Sequence, residues 1–96
     1  MKEIRFEWDE KKNSSNQVKH KVSFEEAKTV FYDENALVRD DPDHSKDEDR
    51  FIILGFSAAA NMLVVSHCYR TKEEVIRIIS ARKATKKESE QYNSRL

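Results

Sequence analysis

An α+β fold, an antiparallel β-sheet meander packed with two N-terminal helices and one C-terminal helix, is the class that this sequence predicts. Three observations carry it. The pairs Ser23/Glu26 and Thr85/Glu88 have capping-box spacing, in which a side chain at the helix entrance and one three residues later satisfy each other's backbone N–H groups. Between them lie four β-rich runs, 35–39, 50–56, 62–69 and 75–81. No internal repeat interrupts the order strand, helices, strands, helix, which keeps the helices apart from the main strand block.

In order, Ile4, Phe6 and Trp8 alternate with Arg5 and Glu7, the pattern of a short strand with one buried face. Asp9 is a suitable N-cap for a polar helix from Glu10 to about His20, although Asn13, Ser14, Ser15 and Asn16 have poor helix propensity. The Ser23/Glu26 box starts a second helix with Phe24, Ala27, Val30 and Phe31 at helical spacing, running to about Tyr32. After a brief strand at 35–39, residues 40–49 read as an acidic loop with the single proline. The runs 50–56 and 62–69 are nearly continuous in apolarity and read as central strands of a hairpin turning at 57–61. A turn at 70–74 leads into 75–81. Strict alternation there puts Ile76, Ile78 and Ser80 on one face and Val75, Arg77, Ile79 and Ala81 on the other. The last helix covers about 86–93.

The 96 residues form one domain with one modest core. No apolar run approaches the roughly 20 residues of a membrane span, and MKEIRFEWDE lacks the apolar centre of a signal peptide. The expected location is therefore cytoplasmic. Cys68, the single cysteine, stands in an apolar run and reads as a buried strand thiol. Neither Cys nor His has zinc-finger spacing, and the sequence calls for no metal or cofactor. The net charge of zero hides a segregation: residues 33–50 hold three basic and eight acidic side chains, 51–66 none, and 67–96 eight basic and four acidic. Such polarity suits a protein that meets an anionic substrate on one side and a basic partner on another.

The stretch VIRIISARKATKKESEQY concentrates the candidate chemistry, because a strand carrying Arg77 and Arg82 passes straight into a basic helix. Lys86 and Lys87 fall in the first turn of that helix, where cations oppose the helix dipole unless an anion offsets them. A phosphate would fill that role.

The phrases FEWDEKK, KHKVSFEEAKTVF, DPDHSKDEDRFIILGFS, LVVSHCYR and VIRIISARKATKKE recur in this order and spacing in the BrnT family, which the chain resembles from Phe6 to Tyr92. That resemblance implies a RelE-like fold, a metal-independent endoribonuclease toxin that inhibits translation, and neutralisation by a BrnA-type antitoxin. The antitoxin would carry a ribbon-helix-helix part, which alone would contact operator DNA, and a 2:2 heterotetramer is expected because such parts are obligate dimers. Two departures stand out. Lys21 occupies a position after the Lys19-His20 pair where the family usually has glycine, and Phe56 one where it often has arginine. The turn at 57–61 also lacks the family's usual glycine and basic residue.

Metal-free cleavage of RNA by its own 2′-hydroxyl needs proton transfer and stabilisation of phosphate charge. Arginine forks suit the second task. Arg50 and Arg82 are the first candidates, and Arg77 the third. For the proton, His20 matches the family's Lys-His pair, His44 the acidic-loop phrase and His67 the strand phrase; the first two are retained as catalytic candidates and His67 is read as sheet packing. Ser80 is a candidate phosphate donor, Lys19, Lys86 and Lys87 guide RNA electrostatically, and Tyr92 is expected to stack on bases from an exposed helix end. A non-catalytic reading stands beside this one, in which the cationic face only binds an anionic partner, as does a degenerate toxin that acts only within a repressor complex.

Overall fold

The computed structural model describes residues 4–41, 49–70 and 74–95. A five-stranded mixed sheet is built from β1 (Arg5–Glu7), β2 (Leu37–Asp40), β3 (Arg50–Phe56), β4 (Met62–Arg70) and β5 (Val75–Lys83). Its strand order is β1-β5-β4-β3-β2. The meander β2 to β5 is antiparallel as expected, whereas β1 adds to the far edge in parallel with β5, pairing Phe6 with Ile76. The two apolar hairpin runs are interior strands, and β5, its edge covered by β1, is interior too.

Helices α1 (Glu10–His20) and α2 (Phe24–Ala27), with a 3₁₀ turn at Lys28–Tyr32, lie on one face, and α3 (Lys86–Asn93) lies on the other. Alternation along β3 sorts the two cores. Ile53 joins Val22, Phe24, Ala27, Val30, Leu63, Val65, Ile78 and Ala81 in the larger cluster, while Leu54 joins Val64 and Tyr92 in the smaller. Gly55 lies under the segment that follows the 3₁₀ turn: a Cβ there would stand 2.9 Å from Asp33 Oδ2 and 3.0 Å from the Ala36 Cβ.

The asparagines that weaken α1 by propensity turn out to fasten it. Asn16 Nδ2 donates to the carbonyls of Val22 and Ala81, each at 2.8 Å, and its Oδ1 accepts the Ala81 N–H at 3.1 Å. Asn13 Oδ1 accepts the Phe24 N–H at 2.9 Å and its amide donates to Glu25 at 3.1 Å. Tertiary hydrogen bonds to buried backbone therefore override a weak local preference.

Two expectations need correction. In the Ser23/Glu26 box, Ser23 Oγ accepts the Glu26 N–H at 3.0 Å, but the Glu26 carboxylate turns to the hairpin, accepting from Ser57 Oγ at 2.6 Å and Asn61 Nδ2 at 2.8 Å. That box is thus half formed, and its glutamate ties the β3–β4 turn to the helical layer. The helix also tightens to 3₁₀ after Ala27, where Thr29 Oγ1 donates back to the Glu26 carbonyl at 2.6 Å and accepts the Ala58 N–H at 2.8 Å. The other correction concerns β5. Ser66 faces Ser80 and His67 faces Ile78, so Ile79 is an extra residue in a bulge. Alternation breaks there, and Ile78 and Ala81, expected on opposite faces, are buried together.

Cys68 and His67 are buried in the sheet as read from sequence. The His67 ring meets Phe31 edge-on at 4.8 Å and Tyr69 at 5.4 Å, and desolvation pushes its pKa below the usual histidine value. Lys21 ends α1 in the left-handed region, φ 61° and ψ 28°, with its N–H on the Gln17 carbonyl at 2.9 Å. The backbone that glycine would favour is kept with a side chain attached. Lys21→Gly should therefore stabilise the protein by about 1 kcal/mol, raising the melting temperature by roughly 4–8 °C for a domain of this size; thermal denaturation followed by circular dichroism checks it, and a lower melting temperature would contradict the strain.

Candidate active site

The bulge decides which β5 side chains share a face with Arg50. Register pairs Arg50 with Cys68 and Cys68 with Arg77, Ile52 with Ser66 and Ser66 with Ser80, and Leu54 with Val64 and Val64 with Arg82. Directly opposed residues share a face, so three rows end on Arg77, Ser80 and Arg82 on the side of the sheet that carries α3. Because α3 has eight residues, it covers only the Leu54–Val64 end of that face. Beside it opens a cleft of about 370 Å³ with Arg50, Ser66, Ser80 and Arg82 from the strands, Asp41 from the end of β2, and His20 from the C-terminus of α1.

Four sequence candidates thus converge: His20, Arg50, Ser80 and Arg82. Arg77 shares the face but lies outside the cleft, donating from Nη1 to Glu7 Oε2 on β1 at 2.9 Å. Lys19, Lys86 and Lys87 are exposed, the first beside His20 and the others in the first turn of α3. His44 lies outside the described residues. Tyr92 is corrected: it is 2% exposed, packs edge-on against Phe56 at 5.4 Å and donates its hydroxyl to Asp33 Oδ2 at 2.7 Å. Its ring fills the smaller core and is not open to a base.

Asp41, Ser66 and Glu88 were not singled out as site residues. Asp41 is buried, its N–H donating to the Arg50 carbonyl at 2.9 Å while its carboxylate accepts a long contact of 3.5 Å from Ser66 Oγ. Ser66 reaches the site by cross-strand pairing with Ser80, a partnership that depends on the bulge. In the sequence Glu88 carries only the signal of a cap. Its Oε1 does accept the Thr85 N–H at 2.8 Å, and Thr85 Oγ1 accepts the Glu88 N–H at 3.2 Å. The same carboxylate also takes Arg82 in a two-pronged pair, Nη1 to Oε1 at 2.8 Å and Nη2 to Oε2 at 2.9 Å.

That pair sets the local electrostatics. The Arg82 hydrogen bonds, opposed by desolvation and aided by the Thr85 N–H, hold the Glu88 carboxyl down at about 2, and Glu88 in turn raises the Arg82 pKa. Asp33 anchors the other end of α3. Burial works against its charge, yet donation from the Phe56 and Asn35 N–H groups and the Tyr92 hydroxyl outweighs burial and keeps its carboxyl below the ordinary value. Arg95 adds a hydrogen bond to the Asn35 carbonyl. Among the described residues, no three His, Cys, Asp or Glu side chains gather as metal ligands would, and no helix is long and apolar enough to cross a membrane.

A cationic, partly polar cleft at the end of a sheet, flanked by a histidine and a carboxylate, defines a candidate site for an anion whose chemistry involves proton transfer. Residues 8–88 match the family described as the ribonuclease toxin BrnT of type II toxin–antitoxin systems. The chain belongs to that family, which implies a protein antitoxin as its partner. Its fold is also similar to the crystal structure of the Brucella abortus ribonuclease toxin BrnT, with a TM-score of 0.66, 22% identity, and coverage of 88% of this chain and 100% of that one. No curated protein matches the chain.

A depressed carboxyl pKa stabilises the fold above its unfolded-state value and loses that contribution as pH falls through the folded one. For Glu88 the window runs from the ordinary glutamate value of 4.5 down to about 2. Urea titrations across this range should show wild type losing more stability than Glu88→Gln. Equal losses would mean that the pair adds nothing to the native state in solution.

Proposed function

We propose that this chain is an endoribonuclease toxin that cuts RNA without a metal, by attack of a 2′-hydroxyl on the adjacent phosphorus. The observation that carries the reading is the convergence of Arg50 from β3, Ser80 and Arg82 from β5, and His20 from α1 on one cleft, in a chain of a ribonuclease family. In such a reaction the 2′-oxygen bonds to phosphorus, the bond to the 5′-oxygen breaks, and the product carries a 2′,3′-cyclic phosphate. Arg50 and Arg82 stabilise the charge gathering on the phosphoryl oxygens, Ser80 donates to one of them, and His20 exchanges a proton with an attacking or leaving oxygen. His44 is retained as a second proton-transfer candidate. Lys19, Lys86 and Lys87 draw the strand toward the cleft, and Arg77 extends the cationic face beyond it.

The proposal places the protein in the cytoplasm, where RNA cleavage would halt translation and a BrnA-type antitoxin would restrain it. A ribbon-helix-helix dimer in that antitoxin would bring two toxins together as a 2:2 complex and would itself bind operator DNA. The RelE-like arrangement belongs to the same proposal; it is supported by the meander with flanking helices. Two observations favour a second, non-catalytic reading: Glu88 already engages Arg82, and Phe56 stands where an arginine is usual, packed on Tyr92. Cleavage by purified protein separates the two, since an enzyme destroys RNA at sub-stoichiometric amounts.

Within the enzyme reading, Arg82→Ala should lower cleavage by roughly a hundredfold, about 2.7 kcal/mol of barrier, if its contact strengthens as charge develops. Arg82→Lys should recover only part, because an ammonium keeps the charge without the fork. Single-turnover cleavage of a labelled RNA measures both. A folded alanine variant that cleaves at the wild-type rate would remove Arg82 from the site.

A further inference from the structure

Arg82 has five N–H groups, and the structure shows how three are used. Nη1 donates to Glu88 Oε1 at 2.8 Å and to the Lys83 carbonyl at 3.3 Å, and Nη2 donates to Glu88 Oε2 at 2.9 Å. The two left without a partner among the described residues are Nε–H and the second hydrogen of Nη2, which in a planar guanidinium lie along one edge. They form a second fork. Glu88 is itself held, since its carboxylate takes the Thr85 N–H and its own N–H reaches Thr85 Oγ1. The carboxylate that grips Arg82 is therefore fixed to the first turn of α3 and to the strand end that carries Arg82.

An acidic side chain beside a site for phosphate opposes substrate binding by simple charge. Its presence calls for a compensating role, and its geometry supplies one. We infer that Glu88 is a positioning residue: it clamps the end edge of the Arg82 guanidinium so that the Nε/Nη2 edge is the fork presented to a phosphate in the cleft. This deepens the ribonuclease reading and rests on it. Without the clamp, Arg82 keeps its charge but samples several rotamers, and the fork is no longer held ready for the reacting phosphate.

The clamp separates binding from turnover in a way that a structural role does not. Glu88→Gln keeps an oxygen for the Thr85 N–H, as glutamine does in capping boxes, but offers Arg82 one acceptor in place of two and removes the negative charge. With purified protein and a labelled RNA, kcat should fall about tenfold to a hundredfold while KM stays the same or drops. Arginine side-chain NMR should show the Arg82 Nη hydrogens resolved in wild type and averaged in the variant. Should Glu88→Gln unfold at assay temperature, Glu88→Asp, which keeps the charge and shortens the reach, must show the same fall in kcat. A folded Glu88 variant that cleaves as fast as wild type, or faster, overturns the clamp and makes Glu88 a competitor for Arg82. Wild-type protein that cleaves nothing overturns the ribonuclease reading itself, and the clamp with it.

Discussion

The carboxamide of Asn16, buried between the helical layer and the sheet, is the contact on which the site geometry depends. Strand β1 pairs with β5 only from Val75 to Arg77, so the outer edge of β5 beyond that point has no neighbouring strand. Asn16 stands in for one, taking both the N–H and the carbonyl of Ala81. A buried side chain thereby satisfies backbone groups that would otherwise be desolvated without partners, each a loss of about 1–3 kcal/mol. It does so just past the bulge at Ile79, where β5 changes face. Ala81 is pinned inward, and its neighbours Ser80 and Arg82 are left facing the cleft.

A second set of contacts fixes α3 at its two ends. Near its start the Arg82–Glu88 pair and the Thr85 cap join helix to strand; near its finish Tyr92 packs with Leu54 and Val64 and donates to Asp33. Asp33 also accepts the Phe56 N–H at 2.9 Å, so the same carboxylate links helical layer, sheet and C-terminal helix. The short helix consequently covers one end of its face and leaves the other open. Arg50 enters that opening from β3, and His20 comes over from the end of α1, where a lysine in left-handed conformation turns the chain. The site is a meeting point of segments whose placement is settled elsewhere in the fold.

Much of this was legible in the sequence because it depends on local chemistry. The Asp9 cap, the Thr85/Glu88 box, the hairpin runs and the bounds of α1, β3 and α3 follow from side chains acting within a few residues of themselves. The less legible parts are long-range. Asn13 and Asn16 read as helix-weakening because their partners lie across the core, up to 65 residues away. Glu26 read as half of a capping box because Ser57 and Asn61 are not its sequence neighbours. The bulge has no signature in VIRIISARK, since alternation fits either face until Asn16 and Ser66 select one. In the site, Arg50, Arg82, Ser80 and His20 were named from residue type and family phrases. Asp41 and Ser66 escaped notice because they are ordered by register, and Tyr92 was misjudged because the terminal helix packs on the sheet and buries it.

In the proposed reading, RNA lies on the α3 side of the sheet, in the cleft between Arg50 and Arg82. Titrating isotope-labelled protein with a short RNA whose 2′-oxygens are methylated, so that it cannot be cut, locates the ligand by amide and side-chain shifts. The largest changes are expected at Arg50, Ser66, Ser80 and Arg82, with smaller ones at His20 and Lys86, weakening as salt rises. Changes confined to α1 and α2 on the opposite face, or none at concentrations that saturate RNA-binding proteins of this size, would contradict it.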